Sequence, residues 1–204
     1  MLVQPAKSLT DLLLGVVVVL LAAQVGRSSG RFWSAAFWCT GIAALAGAVH
    51  HGVIVRWPAW ARLSWALISI LVVVGISYLL AATVVEVLGP GNGRVFWVLR
   101  SVSLVAYAFL ALTGHAGVAA ILACESLTMV SVLVLWGLAA YRRHPLAGPV
   151  ILAILASGLA GLTQALSPGV TENVRLDPTS AYHLAQIIGM VLLYRAVTRP
   201  VPQS

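Results

Sequence analysis

Residues 63–85 read LSWALISILVVVGISYLLAATVV, without one charged side chain. A transmembrane helix needs about 20 consecutive, predominantly apolar residues, so this stretch alone can cross a bilayer. Working outward, the same test places seven spanning helices at about 9–26, 32–55, 62–88, 94–113, 117–141, 147–166 and 178–197. The breaks between them carry turn chemistry: Gly26 to Gly30, Trp57-Pro58, Gly89-Pro90-Gly91-Asn92-Gly93, His144-Pro145 and Ser167-Pro168-Gly169. Connections this short make consecutive helices antiparallel neighbours. The sequence predicts an all-α, polytopic membrane protein, one seven-helix transmembrane domain over residues 1–204.

Composition agrees with that class. Aliphatic and aromatic residues make up 61% of the chain, charged residues 8%, and the mean hydropathy is +1.01, outside the range of soluble domains. The net charge of +7 points to orientation and lipid headgroups rather than to nucleic acid, and no nucleic-acid partner is expected. With the N-terminus outside, Arg27, Arg31, Arg94, Arg100, Arg142, Arg143, Arg195 and Arg199 are cytoplasmic, against Lys7, Arg56, Arg62 and Arg175 outside. That excess predicts N-out, C-in, in a bacterial-type plasma membrane. Trp33, Trp38, Trp97 and Trp136 then fall toward the inner interface, and Trp57, Trp60 and Trp65 toward the outer one. Lys7 followed by an apolar run resembles a secretory signal, but Asp11 inside the run argues for a retained helix. Cys39 and Cys124 both lie in apolar segments and read as small buried hydrophobes, not a disulfide or thiolate site. No internal repeat of the transporter kind is visible.

The ionisable groups gather at one end. Asp11 opens the first helix, His50 and His51 close the second, His115 sits in the turn before the fifth, and His183 lies early in the seventh. Glu125 is about eight residues into the fifth helix, roughly 12 Å from its outer end. Gln164 and Gln186 add amides, and Thr179, His183 and Gln186 share one helical face. His50 and His51 are about 100° apart on their helix, so one faces the shared point while the other packs or supports. The stripe Thr40, Ala44, Gly47, His51 lets another helix approach closely.

Some of these residues have local explanations. Ser8-Leu9-Thr10-Asp11 has capping-box spacing, with Ser8 as the cap and Asp11 in the first turn. Asp177-Pro178 reads as an N-cap followed by proline at the first helical position. His115 in its glycine-flanked turn is a wet loop histidine, Glu86 can pair with Arg94, and His144 belongs with Arg142 and Arg143. His51, His183 and Glu125 remain, on three different helices. They either form a structural polar network or bind something together. Imidazoles with a carboxylate suit zinc, and an open position beside the ion makes a Lewis-acid hydrolase site. HExxH, GxSxG, P-loop and dinucleotide fingerprints are absent, so no nucleotide cofactor is expected.

Two short patches resemble a known superfamily. Ala46-Gly47-Ala48-Val49-His50-His51-Gly52 late in the second helix, and Thr179-Ser180-Ala181-Tyr182-His183-Leu184 early in the seventh, are similar to the histidine patches of a seven-helix membrane hydrolase superfamily. That superfamily contains the alkaline ceramidases and the adiponectin-receptor-like proteins. The resemblance implies zinc held by a helix-two histidine and an HxxxH pair in helix seven, with a serine and an aspartate nearby. Here the serine position is Ala46 or Gly47, and the first histidine of HxxxH is Thr179. A third ligand must then come from His50, His115, Asp11 or Glu125.

Two functions compete. The first is a zinc-dependent hydrolase of a lipid amide or ester near the outer face, with metal ligands His51 and His183 backed by His50, Glu125 as third ligand or base, and Asp11 as a supporting carboxylate. Gln186, Thr179 and His115 are its supporting residues. The second is a non-catalytic membrane subunit or binding protein, whose cluster holds helices, a headgroup, a haem or a membrane-protein partner, including a second copy of the chain. A coupled transporter is disfavoured because ionisable groups are scarce at mid-membrane. Retinal is excluded, since the only lysine is Lys7.

Overall fold

The computed structural model describes residues 2–28, 30–115, 117–163 and 177–199, and among these it is all-helical. Seven α-helices follow in order: α1 (Pro5–Ser28), α2 (Arg31–Gly52), α3 (Pro58–Leu88), α4 (Arg94–Leu112), α5 (Val118–Tyr141), α6 (Ala147–Leu162) and α7 (Pro178–Val197). A 3₁₀ turn, Ile54–Arg56, joins α2 to α3. Five helices are long and apolar enough to cross a membrane: α1, α2, α3, α4 and the Ala123–Tyr141 part of α5; α6 is apolar but shorter. This is consistent with a membrane protein. α3 has 31 residues, about 46 Å at 1.5 Å each, more than the roughly 30 Å hydrocarbon core.

Three helix ends differ from the sequence expectation by three or four residues: α3 begins at Pro58 rather than near 62, and the other two differ for one shared reason. The amides of Val3 and Gln4 donate to the carbonyls of Gly52 and His51. The chain ahead of α1 thereby satisfies the C-terminal carbonyls of α2, which would otherwise lack partners. α1 can therefore begin at Pro5 rather than near residue 9, with proline in the first turn, where its missing N–H costs nothing. α2 stops at Gly52 rather than 55. This overturns the capping-box expectation: Ser8 lies inside α1, and its hydroxyl donates to the Ala48 carbonyl of α2 at 2.8 Å. Asp11 is likewise not in the first turn. At α7 the expected cap is present, with Asp177 accepting from the amides of Thr179 and Ser180. Gln164 and the expected 167–177 connection, apart from Asp177 itself, lie outside the described residues.

Helices α1, α2, α3, α5, α6 and α7 pack in a closed ring in that order, α7 returning to α1, while α4 lies outside against α3 and α5. Between apolar helices in lipid, association rests on close packing and hydrogen bonds, and α1 and α2 show both. A Cβ on Gly15 would meet Leu45 at 2.7 Å, and one on Gly41 would meet Val19 at 2.8 Å, so only glycine permits these approaches. The apolar core fills the half of the ring where α1 ends, with Val18, Val25, Phe37, Leu80, Val132, Trp136 and Val150 buried. There the Trp136 indole donates to the Thr83 hydroxyl at 3.1 Å, and Tyr194 of α7 donates to Gln24 of α1 at 2.6 Å. The opposite half, where α1 and α7 begin and α2 ends, holds the polar groups.

Candidate functional site

Asp11 is 5% exposed and lies six residues after Pro5, about 9 Å along α1. Its carboxylate lies against Gly47 of α2: a Cβ there would sit 2.7 Å from Oδ2 and 3.2 Å from Oδ1. Absence of a side chain at Gly47 is what lets the carboxylate occupy the α1–α2 contact. One turn on, His51 brings Nε2 to 3.8 Å from Asp11 Oδ2. From α7, His183 brings Nε2 to 3.1 Å from Asp11 Oδ1. Three helices thus converge on one carboxylate, each imidazole addressing a different oxygen.

The other ring nitrogens have partners of their own. His51 Nδ1 faces Gln4 Oε1 at 2.8 Å, and a carbonyl oxygen only accepts, so Nδ1 carries the proton. His183 Nδ1 is 3.1 Å from the Thr10 hydroxyl, whose own hydrogen goes to the carbonyls of Ala6 and Lys7. Thr10 thus stands between two carbonyls of its own helix and His183 Nδ1, and holds the ring from α1. Nε2 of both rings is turned to the Asp11 carboxylate in a buried space, where a shared proton or a metal ion would join the three groups.

The adjacent histidine goes elsewhere. Ala46 and His50 lie on the α3 side of α2, whereas Gly47 and His51 lie on the α1 side. His50 Nδ1 is 3.2 Å from the Ser64 hydroxyl of α3, and its ring meets that of His51 edge-on at 5.0 Å. Trp65 flanks both rings, 5.7 Å from His50 and 6.4 Å from His51.

The remaining expected residues separate from this centre. Glu125 on α5 has Tyr107, Cys124 and Tyr182 as electrostatic neighbours; Tyr182 is a neighbour of Asp11 as well. The carboxylate at the histidines is thus Asp11, and the helices that meet are α1, α2 and α7 rather than α2, α5 and α7. Gln186 turns to α6, its amide 3.4 Å from Ser157 Oγ. Thr179 is held at the start of α7 by Asp177. His115 is exposed and bonds Thr113 in its own turn at 3.2 Å. Sequence reasoning missed Gln4, Thr10 and Ser64, the partners of the three ring nitrogens. A usable signal was present for one of them, since Ser8, Thr10 and Asp11 are the polar residues in the otherwise apolar stretch from Ser8 to Ala23.

Asp177, outside the apolar spans, has its own electrostatics. Burial alone would raise its carboxyl, but hydrogen bonds from Ser180 and Thr179 and the nearby charge of Lys7 more than cancel this, holding it below the usual carboxylate range. Ser180 Oγ donates to it at 2.6 Å. This is a capping role.

Among the described residues, no three His, Cys, Asp or Glu side chains surround a point that could hold a metal ion as they now lie. The two imidazoles lie nearest different oxygens of Asp11, at 3.8 and 3.1 Å. In donor chemistry the set nevertheless suits a divalent cation, with two imidazoles fixed through Nδ1 and one carboxylate. No curated protein matches the chain, and no solved structure does. Residues 6–201 match the family of unknown function DUF6962, and the chain belongs to that family.

Proposed function

We propose that this chain is a seven-span membrane hydrolase acting on a lipid amide or ester, with its centre at Asp11, His51 and His183. The observation that carries it is the convergence of two imidazole Nε2 atoms on one buried carboxylate, a donor set that suits a cation. His51, His183 and Asp11 would hold zinc; this requires the imidazoles to address one common point. Bound there, zinc would act as a Lewis acid and bring the pKa of a water to about 7. Gln4 and Thr10 hold both rings through Nδ1, and Gly47 leaves the carboxylate its space. Burial of Asp11 and His183 excludes bulk water and strengthens each of these interactions. The cation excess at loops other than those near Asp11 supports an N-out, C-in orientation in a bacterial-type plasma membrane, with the site about 9 Å inside the outer face. A lipid of the outer leaflet reaches that depth sideways.

The test is fatty-acid release from a labelled lipid amide and a labelled ester in nanodiscs. Wild type should release it, and Asp11→Asn, His51→Ala and His183→Ala should each lose at least ~100-fold, the upper range for disturbing a metal site's support. Equal release by wild type and all three variants would sink the proposal.

One observation favours a second reading. The 3.1 Å contact between His183 and Asp11 has ordinary hydrogen-bond length, so a single shared proton also completes the set. The chain is then a non-catalytic binding protein or subunit, held together by this network. It predicts folded wild type without turnover, and variants that lose stability alone.

A further inference from the structure

The end of the bundle away from Asp11, where α2 and α4 begin and α3 ends, holds a pocket of about 470 Å³ whose lining includes Arg31, Phe32, Val85, Pro90 and Trp97. This volume is within the roughly 300–1,000 Å³ of ligand sites. Its aromatic wall is held in place from several sides. The Phe32 and Trp97 rings lie 5.9 Å apart, and the Trp97 indole donates to the Asn92 carbonyl at 3.1 Å, in a loop turned by Gly89, Gly91 and Gly93 at positive φ. Outside the lining, the Arg100 guanidinium lies 5.0 Å over the Tyr78 ring and 5.9 Å over that of Trp97. Its Nε donates to the Ser77 carbonyl of α3 at 3.1 Å, which ties α4 and its tryptophan to α3.

The charge belongs to the lining itself. Arg31 is exposed, and its guanidinium lies 4.9 Å over the Phe32 ring, a contact with the ring that leaves its N–H donors for an anion. Among the described residues no carboxylate pairs with Arg31. Glu86 follows Val85 of the lining and is exposed, but it is the one acidic residue between Asp11 and Glu125 in the sequence. Arg94 and Arg100 stand at the same end, so the balance there is positive even with Glu86 ionised. In a spanning bundle helix ends lie at the interface, where arginine and tryptophan meet headgroups. We infer that the pocket seats the headgroup of one anionic phospholipid, its phosphate at Arg31 and its glycerol against Phe32 and Trp97. Charge complementarity selects the anionic lipid, and the apolar walls favour it over a hydrated soluble anion. The seat holds whether or not the Asp11 centre, at the opposite end, is catalytic.

Native mass spectrometry of the full chain, titrated with phosphatidylglycerol and with phosphatidylcholine of identical chains, tests this. Wild type should retain one phosphatidylglycerol about fivefold more tightly than phosphatidylcholine, the effect expected of one cation beside an anionic lipid. Arg31→Gln should bring the two lipids level. Arg142→Gln, which removes the same charge just after α5 and outside the lining, should leave the preference intact. Gly30→Phe should abolish the tight site: Gly30 also lines the pocket, its φ of −60° and ψ of 156° suit any residue, and a Cβ there meets nothing within 4 Å. The added ring therefore fills the pocket without straining the chain. Excess inorganic phosphate should not displace the lipid. Equal binding of both lipids by wild type, a preference that survives Arg31→Gln or Gly30→Phe, or an equal loss in Arg142→Gln would overturn the inference. So would displacement by inorganic phosphate, which would give the pocket to a soluble anion.

Discussion

Gly47→Ala probes the centre without touching any of its polar groups. The added Cβ would lie 2.7 Å from Asp11 Oδ2, where ordinary contact begins at 3.4 Å, so the carboxylate must retreat by the difference, about 0.7 Å, or the helices must separate. Overpacking of this kind costs about 1–3 kcal/mol. Displacing the carboxylate also weakens its contacts with His51 and His183, at about 1.5–3 kcal/mol for a charged hydrogen bond. Alanine returns up to about 1 kcal/mol in helix propensity. The net expectation is a loss of about 1.5–5 kcal/mol, which for a chain of this size lowers Tm by roughly 3–20 °C. Gly158→Ala is the control: nothing lies within 4 Å of its Cβ, and it should be neutral or slightly stabilising. Thermal unfolding in detergent, read as loss of the monodisperse chromatographic peak, measures both. A double cycle with Asp11→Asn sharpens the result, since two substitutions acting through the same atoms should be non-additive. A Gly47→Ala protein as stable as wild type would refute the placement of Asp11 in the α1–α2 contact.

Thr83→Val leaves the buried Trp136 N–H without its acceptor and should cost about 1–3 kcal/mol, seen as a lower Tm by the same assay; an unchanged Tm would mean that the indole finds another partner. Asp177→Ala removes the α7 cap and should cost about 1 kcal/mol, or roughly 2–4 °C. Because the folded carboxyl is held below its ordinary value, its ionised form is favoured by folding. Its contribution is therefore complete at neutral pH and fades as pH falls below about 4. The gap between wild type and Asp177→Ala should narrow over that acidic range, and a gap constant from pH 7 to pH 3 would contradict the capping role.

The all-helical class and most described boundaries were legible because uncharged runs and Gly/Pro punctuation mark helices and their ends, although only five of the seven helices are long and apolar enough to cross a membrane. The start of α1 was not, since it depends on Val3 and Gln4 donating to the end of α2, a long-range contact with no local signal. Helix rotation was also hidden. In a bilayer the lipid side is as apolar as the core, so α5 has no polar stripe to say where Glu125 faces, and depth alone made it look like part of the centre. His50 and His51 could be separated only once Gly47 was seen against α1 and Ser64 against α3. Asp11 looked like a capping residue for the same reason that Ser8 did: their spacing matches a capping box, but the helix begins earlier than they do.

Elemental analysis of the purified chain tests the Asp11–His51–His183 centre most directly. The account predicts about one zinc per chain in wild type, lost in His51→Ala and His183→Ala proteins that still elute as folded monodisperse species. A metal-free wild type, indistinguishable in content from both variants, would contradict it.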